Sequence, residues 1–330
     1  MLMEAIISTK YGSADVLQLK EVARPIPKDD EALVKVHAAS LNAADLETMR
    51  GVFVVRITAP RKPMYKILGS DFAGRVAAVG VDVKQFQPGD EIWGDLSFPL
   101  GYSTLAEYVC VPESALRLKP YSMTFEQAAA IPTAAVVALQ NLRDKSPIHT
   151  GQKVLINGAG GGVGTFAVQL AKYFGAEVTG VDSTRKLDML RSIGADHVID
   201  YTQEDFTKSD QRYDLILDVV AYRSIFAYQR ALGPEGTFVF VGGSTSAIFQ
   251  ALLLGPLVSR IGSKKMGIVM WKPNDKEDLE FLTDLIGAGK MTPVIDRSYP
   301  LSEVPEAFRY IEGGQAKGKI VITVAQNSNT

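Results

Sequence analysis

The chain has 330 residues, a length that fits two domains better than one hydrophobic core. Its 46% hydrophobic and 22% charged residues are those of an ordinary globular protein, and its formal net charge of −2 gives no electrostatic reason to bind nucleic acid or an acidic membrane. Cys110 is the only cysteine, which excludes an intrachain disulfide and a metal site built from a cluster of cysteines. The start, MLMEAIISTK, lacks the features of a secretory signal, and the apolar stretch 247–262 is too short to span a bilayer. We therefore expect a cytoplasmic protein.

The first part of the chain, to about residue 125, has the pattern of short strands separated by turns. Residues 32–40 alternate apolar and polar side chains, as expected for a strand with one solvated face. Further strands are expected at 72–80, 89–95 and 103–111. No long segment with helical periodicity interrupts them, so this part predicts a compact, irregular β-barrel.

From about residue 150 the pattern changes to alternating strands and helices. KVLIN (153–157) is continuously apolar, which is typical of a parallel strand covered on both faces. Five more strands are expected, at 177–182, 197–200, 214–220, 237–241 and 265–270. Helices are expected between most of them, for example at 184–194, and this order predicts a doubly wound α/β fold. After a last helix at 276–289, the tail 293–324 returns to strands and should rejoin the first domain.

The glycine-rich stretch INGAGGGVG (156–164) lies between the first of these strands and its helix. Ala159, Gly161 and Gly164 give the pattern A-x-G-x-x-G, in which small residues permit a tight turn and a close approach of backbone to a dinucleotide diphosphate. The expected contacts are with the backbone of Gly158, Gly161, Gly162 and Val163. The alternative interpretation, a flexible loop, would explain neither the apolar strand before the glycines nor the amphipathic helix after them. A P-loop would need Gly-Lys-Ser/Thr, which is absent.

The residues after the second strand bear on the choice between NADH and NADPH. Asp182 lies 21 positions after Gly161, where an acid usually binds the ribose 2′-hydroxyl and repels a 2′-phosphate. Ser183, Arg185 and Lys186 follow, and hydroxyls beside cations suit a phosphate. These two cations are equally consistent with solvated charges at the start of a surface helix. The choice of cofactor stays open, with dual use or a preference for NADH as the expectation.

Several motifs in order carry a resemblance to a known family. They are LNAADLETMRG (41–51), LGSDFAGRVAAVG (68–80), QPGDEIWG (87–94), AEYVCVP (106–112), EQAAAIPTAA (126–135), NGAGGGVGTFAVQLAK (157–172), GADHVIDY (194–201) and AKGKIVI (316–322). Over essentially its whole length, the chain resembles the zinc-free, quinone-oxidoreductase-like branch of the medium-chain dehydrogenase/reductase superfamily. The resemblance implies a discontinuous GroES-like catalytic domain (1–125 and 290–330), a Rossmann domain (126–289) and an active site in the cleft between them.

The resemblance also bears on zinc. The positions that match the catalytic zinc ligands of zinc-dependent relatives are Asn42, Ser70 and Pro132, and none of them is a thiolate or an imidazole. The position of the relay hydroxyl is Ala44. Without zinc, alcohol oxidation has no evident Lewis acid. The expected reaction is therefore hydride transfer from NAD(P)H to an electron-poor acceptor, a quinone or an α,β-unsaturated carbonyl.

Individual site residues are implied by the same resemblance. Asn42 is the candidate donor of a hydrogen bond to the nicotinamide or to the substrate oxygen, although it is equally typical of a turn residue that bonds its own backbone. Glu47 stands where many relatives carry an aromatic residue, which leaves the proton donor open. Further cofactor contacts are implied for Thr133, Tyr201, Val219, Val241, Gly242 and Lys319. The alternatives are strand core for the two valines and a surface charge for the lysine.

The leading hypothesis is an NAD(P)H-dependent, zinc-independent reductase of quinones or activated alkenes. The alternatives are a zinc-free alcohol dehydrogenase and a cofactor-binding protein with little turnover that acts in redox sensing. The apolar strand at 265–270 is last in the expected sheet, and an exposed edge of this kind promotes pairing between chains. We therefore expect a homodimer.

Overall fold

The computed structural model describes residues 1–97, 101–144, 147–268 and 271–324. It divides into two units. Unit 1 contains Met1–Thr133, Pro273–Thr283 and Ile295–Thr330, and unit 2 contains Ala134–Lys272 and Asp284–Val294. The domain limits expected from the sequence stay a prediction. The units differ from them mainly because Pro273–Thr283 groups with the barrel strands.

The helices and strands are numbered in chain order. The strands are β1 (Leu2–Ile7), β2 (Gln18–Ala23), β3 (Glu31–Leu41), β4 (Asp71–Val79), β5 (Glu91–Asp95), β6 (Tyr108–Pro112), β7 (Leu116–Leu118), β8 (Lys153–Asn157), β9 (Glu177–Asp182), β10 (His197–Asp200), β11 (Tyr213–Asp218), β12 (Leu232–Phe240), β13 (Lys265–Ile268), β14 (Ile295–Pro300) and β15 (Lys319–Thr323). The helices are α1 (Ala43–Arg50), α2 (Phe53–Thr58), α3 (Phe125–Ala129), α4 (Pro132–Arg143), α5 (Gly162–Tyr173), α6 (Leu187–Ser192), α7 (Ile225–Ala231), α8 (Thr245–Leu253), α9 (Gly255–Ile261), α10 (Lys276–Gly287) and α11 (Val304–Glu312).

The main sheet of unit 1 has the order β14-β15-β3-β4-β5-β7, and β6 pairs with β3. The long strand β3 is buried along most of its length because it pairs with β4, β6 and β15. The strand expected at 103–111 begins only at Tyr108. The backbone N–H of Leu105 donates instead to Leu68, and that of Glu107 to Glu4, so these residues do not share one ladder.

The sheet of unit 2 has the order β10-β9-β8-β11-β12-β13, and every pairing in it is parallel. The predicted α/β fold is therefore confirmed. The strand expected at 265–270 is observed over Lys265–Ile268, and Val269 and Met270 lie outside the described residues. Because all six strands run in one direction, the segments that follow them emerge at the same edge of the sheet.

The helices follow the expected spacing with local differences. The helix expected at 184–194 is a 3₁₀ turn, Thr184–Lys186, followed by α6. The interior of α5 is largely buried, in accord with its apolar face. Within the described ranges, no helix combines the length and the apolar character needed to cross a bilayer.

Candidate active site

The glycine-rich turn of unit 2 joins β8 to α5. Gly158 has φ +79°, which a residue with a side chain rarely adopts. A Cβ at Gly164 would lie 2.2 Å from the carbonyl oxygen of Gly158, so only glycine lets the helix pack against the turn. The first N–H groups of an α-helix have no intrahelical acceptor, and those of Gly162 and Val163 belong to partly exposed residues. These peptide groups are suited to an anion such as a diphosphate.

Other sequence-predicted residues of unit 2 lie at the same edge of the sheet. Ser183 and Arg185 follow β9, Tyr201 follows β10 and Val219 follows β11. Val241 and Gly242 follow β12, and the N–H of Val241 donates to the carbonyl of Asp218 over 2.9 Å. Tyr201 is half exposed. The topology therefore places these residues with the glycine-rich turn, as expected for a dinucleotide site.

Asp182 is held inside unit 2. Its side chain is 8% exposed. Its Oδ2 accepts the N–H of Gly160 over 2.8 Å, and its Oδ1 accepts the N–H of Ser183 over 2.8 Å. The ammonium of Lys186, 9% exposed, lies 3.3 Å from the same Oδ1. Both oxygens of Asp182 are thus engaged within the protein.

The candidate site residues of unit 1 converge on one carboxylate, that of Asp71 at the start of β4. Its Oδ2 accepts hydrogen bonds from Ser40 Oγ over 3.0 Å, Asn42 Nδ2 over 2.9 Å and Lys319 Nζ over 3.2 Å. Its Oδ1 accepts from the backbone N and the Oγ1 of Thr133, over 3.0 and 2.6 Å. We call these five residues the Asp71 network. Three of them, Asn42, Thr133 and Lys319, are residues that the sequence singled out.

Lys319 and Asn42 are bonded to each other within this network. The Nζ of Lys319 donates to Asn42 Oδ1 over 2.6 Å and to the carbonyl of Leu41 over 3.2 Å, in addition to its bond with Asp71. Three acceptors thus match the three donors of an ammonium that is 1% exposed. Asn42 Nδ2 also reaches Ser70 Oγ, at 3.3 Å. The side chain of Asn42 therefore makes long-range bonds, and Asn42 is at the same time the N-cap residue of α1, with a capping box that includes Asp45.

Two further buried carboxyl groups belong to unit 1. Asp45 accepts the backbone N–H of Asn42 over 2.8 Å, and burial raises its pKa to about 7. Burial, together with the charge of Asp71, raises the pKa of Asp95 to about 7 as well. A pKa of about 7 means that the protonated and ionised forms of each of these two carboxyl groups are comparably populated near neutral pH.

Sequence reasoning missed Asp71, although a signal for it was present. The motif LGSDF places an acid at the first position of a strand whose other residues, apart from Arg75, are apolar, and a charged residue in such a strand is rarely buried unless it is paired. Its partner Lys319 is 248 residues away. The existence of a partner was therefore foreseeable, but its identity was not.

The residues at the positions of the family's zinc ligands are unsuited to zinc. Asn42 and Ser70 are 3.3 Å apart but supply an amide and a hydroxyl, and the ammonium of Lys319 bonds the oxygen of that amide. Zinc in proteins prefers thiolate, imidazole and carboxylate ligands. Within the described residues, no group of three His, Cys, Asp or Glu side chains is arranged to hold a metal. These donors do not fit a catalytic zinc ion.

A parallel sheet with a glycine-rich turn, in a chain that also carries a GroES-like strand unit, defines the class of nicotinamide-dependent oxidoreductases. Residues 28–121 match the family described as alcohol dehydrogenase GroES-like domain, and residues 193–322 match the zinc-binding dehydrogenase family. The chain belongs to the medium-chain dehydrogenase/reductase superfamily, in its quinone-oxidoreductase-like branch.

Individual relatives span nearly the whole chain. The 2-methylene-furan-3-one reductase of Solanum lycopersicum is 36% identical, over 97% of this chain and 79% of the relative. The mitochondrial NAD(P)H oxidoreductase RTN4IP1 of Homo sapiens is also 36% identical, over 98% of this chain and 89% of the relative. The structure of the quinone oxidoreductase from Coxiella burnetii superimposes with a TM-score of 0.89 at 32% identity, over 98% of this chain and 100% of that one.

Proposed function

We propose that the protein is a reductase that transfers hydride from NAD(P)H to a quinone or to the β-carbon of an α,β-unsaturated carbonyl, without zinc. The observation that carries the proposal is the glycine-rich turn of unit 2. There the backbone N–H groups of Gly162 and Val163 lie at the start of α5, next to glycine positions at which a Cβ atom would clash with its neighbours. The names of the similar proteins, which include a furanone reductase and a quinone oxidoreductase, support the same class of acceptor.

The protein's own contribution is binding, orientation and electrostatics. When bound, a reduced nicotinamide supplies the hydride. The backbone N–H groups of Gly162 and Val163, at the start of α5, bind the diphosphate. The N–H groups of Gly158 and Gly161 already donate to the carbonyls of Val181 and Gly158, so these two glycines allow a close approach of the diphosphate and donate no hydrogen bond to it. Residues after the other strands contact the adenosine and the carboxamide: Ser183, Arg185, Tyr201, Val219, Val241 and Gly242. In unit 1, the proposal keeps Asn42 and Thr133 as contacts of the nicotinamide end, with Asp71 fixing these two groups in one arrangement. The proposal gives Lys319 a positioning role, because its side chain is 1% exposed and its three donors are taken by Leu41, Asn42 and Asp71.

The absence of zinc from the reaction is part of the proposal. It is supported by the amide of Asn42 and the hydroxyl of Ser70 at the ligand positions, and by the ammonium of Lys319 next to them. A fixed ammonium disfavours a second cation at the same place. An electron-poor acceptor accepts hydride without a metal to polarise it, whereas alcohol oxidation needs help in forming the alkoxide.

The proposal extends to a cytoplasmic homodimer. Strand β13 (Lys265–Ile268) is one edge of the parallel sheet, and edge strands promote pairing between copies. The hydroxyl of Ser259 already bonds the N–H and the carbonyl of Met266, so pairing with a second copy would use the neighbouring residues of β13. Light scattering at micromolar concentration should give twice the mass of the chain, and a monomer mass would refute the dimer. Fractionation of cells of the source organism tests the location, since some similar proteins are mitochondrial or chloroplastic by name.

An acceptor screen tests the function. Purified protein is assayed with NADH and with NADPH against 1,4-benzoquinone, an enal and a saturated aldehyde, and in reverse with a primary alcohol. We expect oxidation of at least one cofactor with the quinone or the enal, and rates that survive chelation and dialysis. Tight cofactor binding without turnover would favour the redox-sensing alternative. Alcohol oxidation as fast as enal reduction would favour the zinc-free alcohol dehydrogenase.

A further inference from the structure

The end of strand β9 is bonded to the glycine-rich turn through a row of acceptors. The N–H groups of Gly158 and Ala159 both donate to the carbonyl of Val181, over 3.0 and 3.1 Å. The next N–H along the turn, that of Gly160, donates to the carboxylate of Asp182 over 2.8 Å. Three successive peptide groups of the turn are therefore held by two successive residues of β9. In this row, the side chain of Asp182 takes the place of a third backbone acceptor.

Lys186 completes this arrangement. Its ammonium lies 3.3 Å from Asp182 Oδ1, and both side chains are more than nine-tenths buried. A Cβ at Gly160 would lie 2.5 Å from Cδ of Lys186 and 2.9 Å from Asp182 Oδ2. The stem of the lysine thus covers the turn on the side where Gly160 has no side chain. The pair and the glycine fit together as one unit, which we call the Asp182 clasp.

The geometry points to a positioning role for Asp182: it fastens the glycine-rich turn, and it does not select NADH over NADPH. An acid that selects NADH has an oxygen open to the ribose 2′-hydroxyl and a charge that repels a 2′-phosphate. Here the oxygens are buried and occupied by two backbone N–H groups and an ammonium. The ammonium also offsets the negative charge, which weakens any repulsion of a phosphate.

This inference rests on the proposed cofactor binding and predicts how both cofactors respond together. Loss of the clasp releases the N–H of Gly160 and loosens the turn that leads into α5, where the diphosphate common to NADH and NADPH binds. The affinity for both should fall by the same factor. The choice between them then falls to side chains outside the clasp, among them Ser183, Arg185 and Tyr201.

Calorimetric titration of the full chain with NADH and with NADPH, in the absence of acceptor, tests this inference. The double variant D182A/K186M removes both acceptor oxygens together with the ammonium, so that no buried charge is left unpaired, and D182N, which keeps one acceptor oxygen, is the conservative control with a smaller expected effect. Circular dichroism first confirms that each variant is folded at the assay temperature. We expect both dissociation constants to rise about tenfold, as for the loss of one hydrogen bond to a charged group, and their ratio to change less than threefold.

Other results of the titrations would show which part of the reasoning is wrong. A shift of the ratio by threefold or more towards NADPH would show that Asp182 selects the cofactor, and unchanged affinities in folded variants would show that it does not position the turn. Either result overturns the inference. If the unaltered protein binds neither nucleotide, the proposed function itself fails, and the inference fails with it.

Discussion

Replacing Lys319 with methionine removes a buried positive charge and three hydrogen bonds from unit 1. The side chain of Lys319 is 1% exposed and that of its partner Asp71 is 0% exposed. Breaking a buried ion pair from one side costs about 3–5 kcal/mol, because a charge is left uncompensated. Asp71 keeps four donors from Ser40, Asn42 and Thr133, and methionine keeps most of the packing of the stem. We therefore expect K319M to lower the free energy of unfolding by about 3 kcal/mol.

Urea unfolding of the full chain measures this loss. The sequence has two tryptophans, and Trp93 is buried in unit 1, so a W271F background makes its fluorescence report on that unit. K319M, D71N and the double variant form a double-mutant cycle. The loss of stability in the double variant should be smaller than the sum of the two single losses by about 2 kcal/mol. A loss below about 1 kcal/mol for K319M, or strictly additive losses, would refute the account of the Asp71 network.

Two further variants test the turn of unit 2 and the buried acids of unit 1. G164A should cost about 2 kcal/mol of stability and weaken both cofactors in calorimetry, because its Cβ would lie 2.2 Å from a carbonyl oxygen; G287A, whose Cβ meets nothing within 4 Å, is the control and should bind both normally. For Asp45, whose pKa is raised to about 7, the folded state keeps a proton that the unfolded state loses near pH 4. Stability should therefore fall as the pH rises from about 4 to 7, by at most about 4 kcal/mol from this group, and urea titrations should show a shallower fall in D45N. An equal dependence of stability on pH in D45N and in the unaltered protein, or normal cofactor binding by G164A, would contradict these expectations.

The strands of both units were predictable because their patterns are local. The alternation at 32–40 corresponds to β3, and the apolar run 153–157 corresponds to β8 at the centre of a parallel sheet. The stretch 103–107 was not predictable in this way, because its N–H groups bond to separate segments. Thr104, Leu105 and Ala106 are buried, but they do not belong to a continuous strand.

The contacts of the candidate site were less accessible from the sequence. The glycine-rich turn was readable, since its residues are consecutive and the strand and helix flank it. The charge partners were not, because Asp71 and Lys319 are 248 positions apart and nothing local pairs them. The sequence singled out Asp182 and Lys186 as individual residues. Only the structure shows that the two side chains form an ion pair and that Asp182 also accepts a hydrogen bond from the glycine-rich turn.

The central claim is that hydride passes from a reduced nicotinamide to an acceptor carbon without a metal. The most direct test is one turnover of metal-stripped protein with an enone and NAD(P)H that carries deuterium at both C4 positions, with the product analysed by mass spectrometry and NMR. Metal content is measured on the same sample. We predict deuterium at the β-carbon of the product, from protein that holds no stoichiometric metal. A product without deuterium, or turnover that returns only when zinc is restored, would contradict the account.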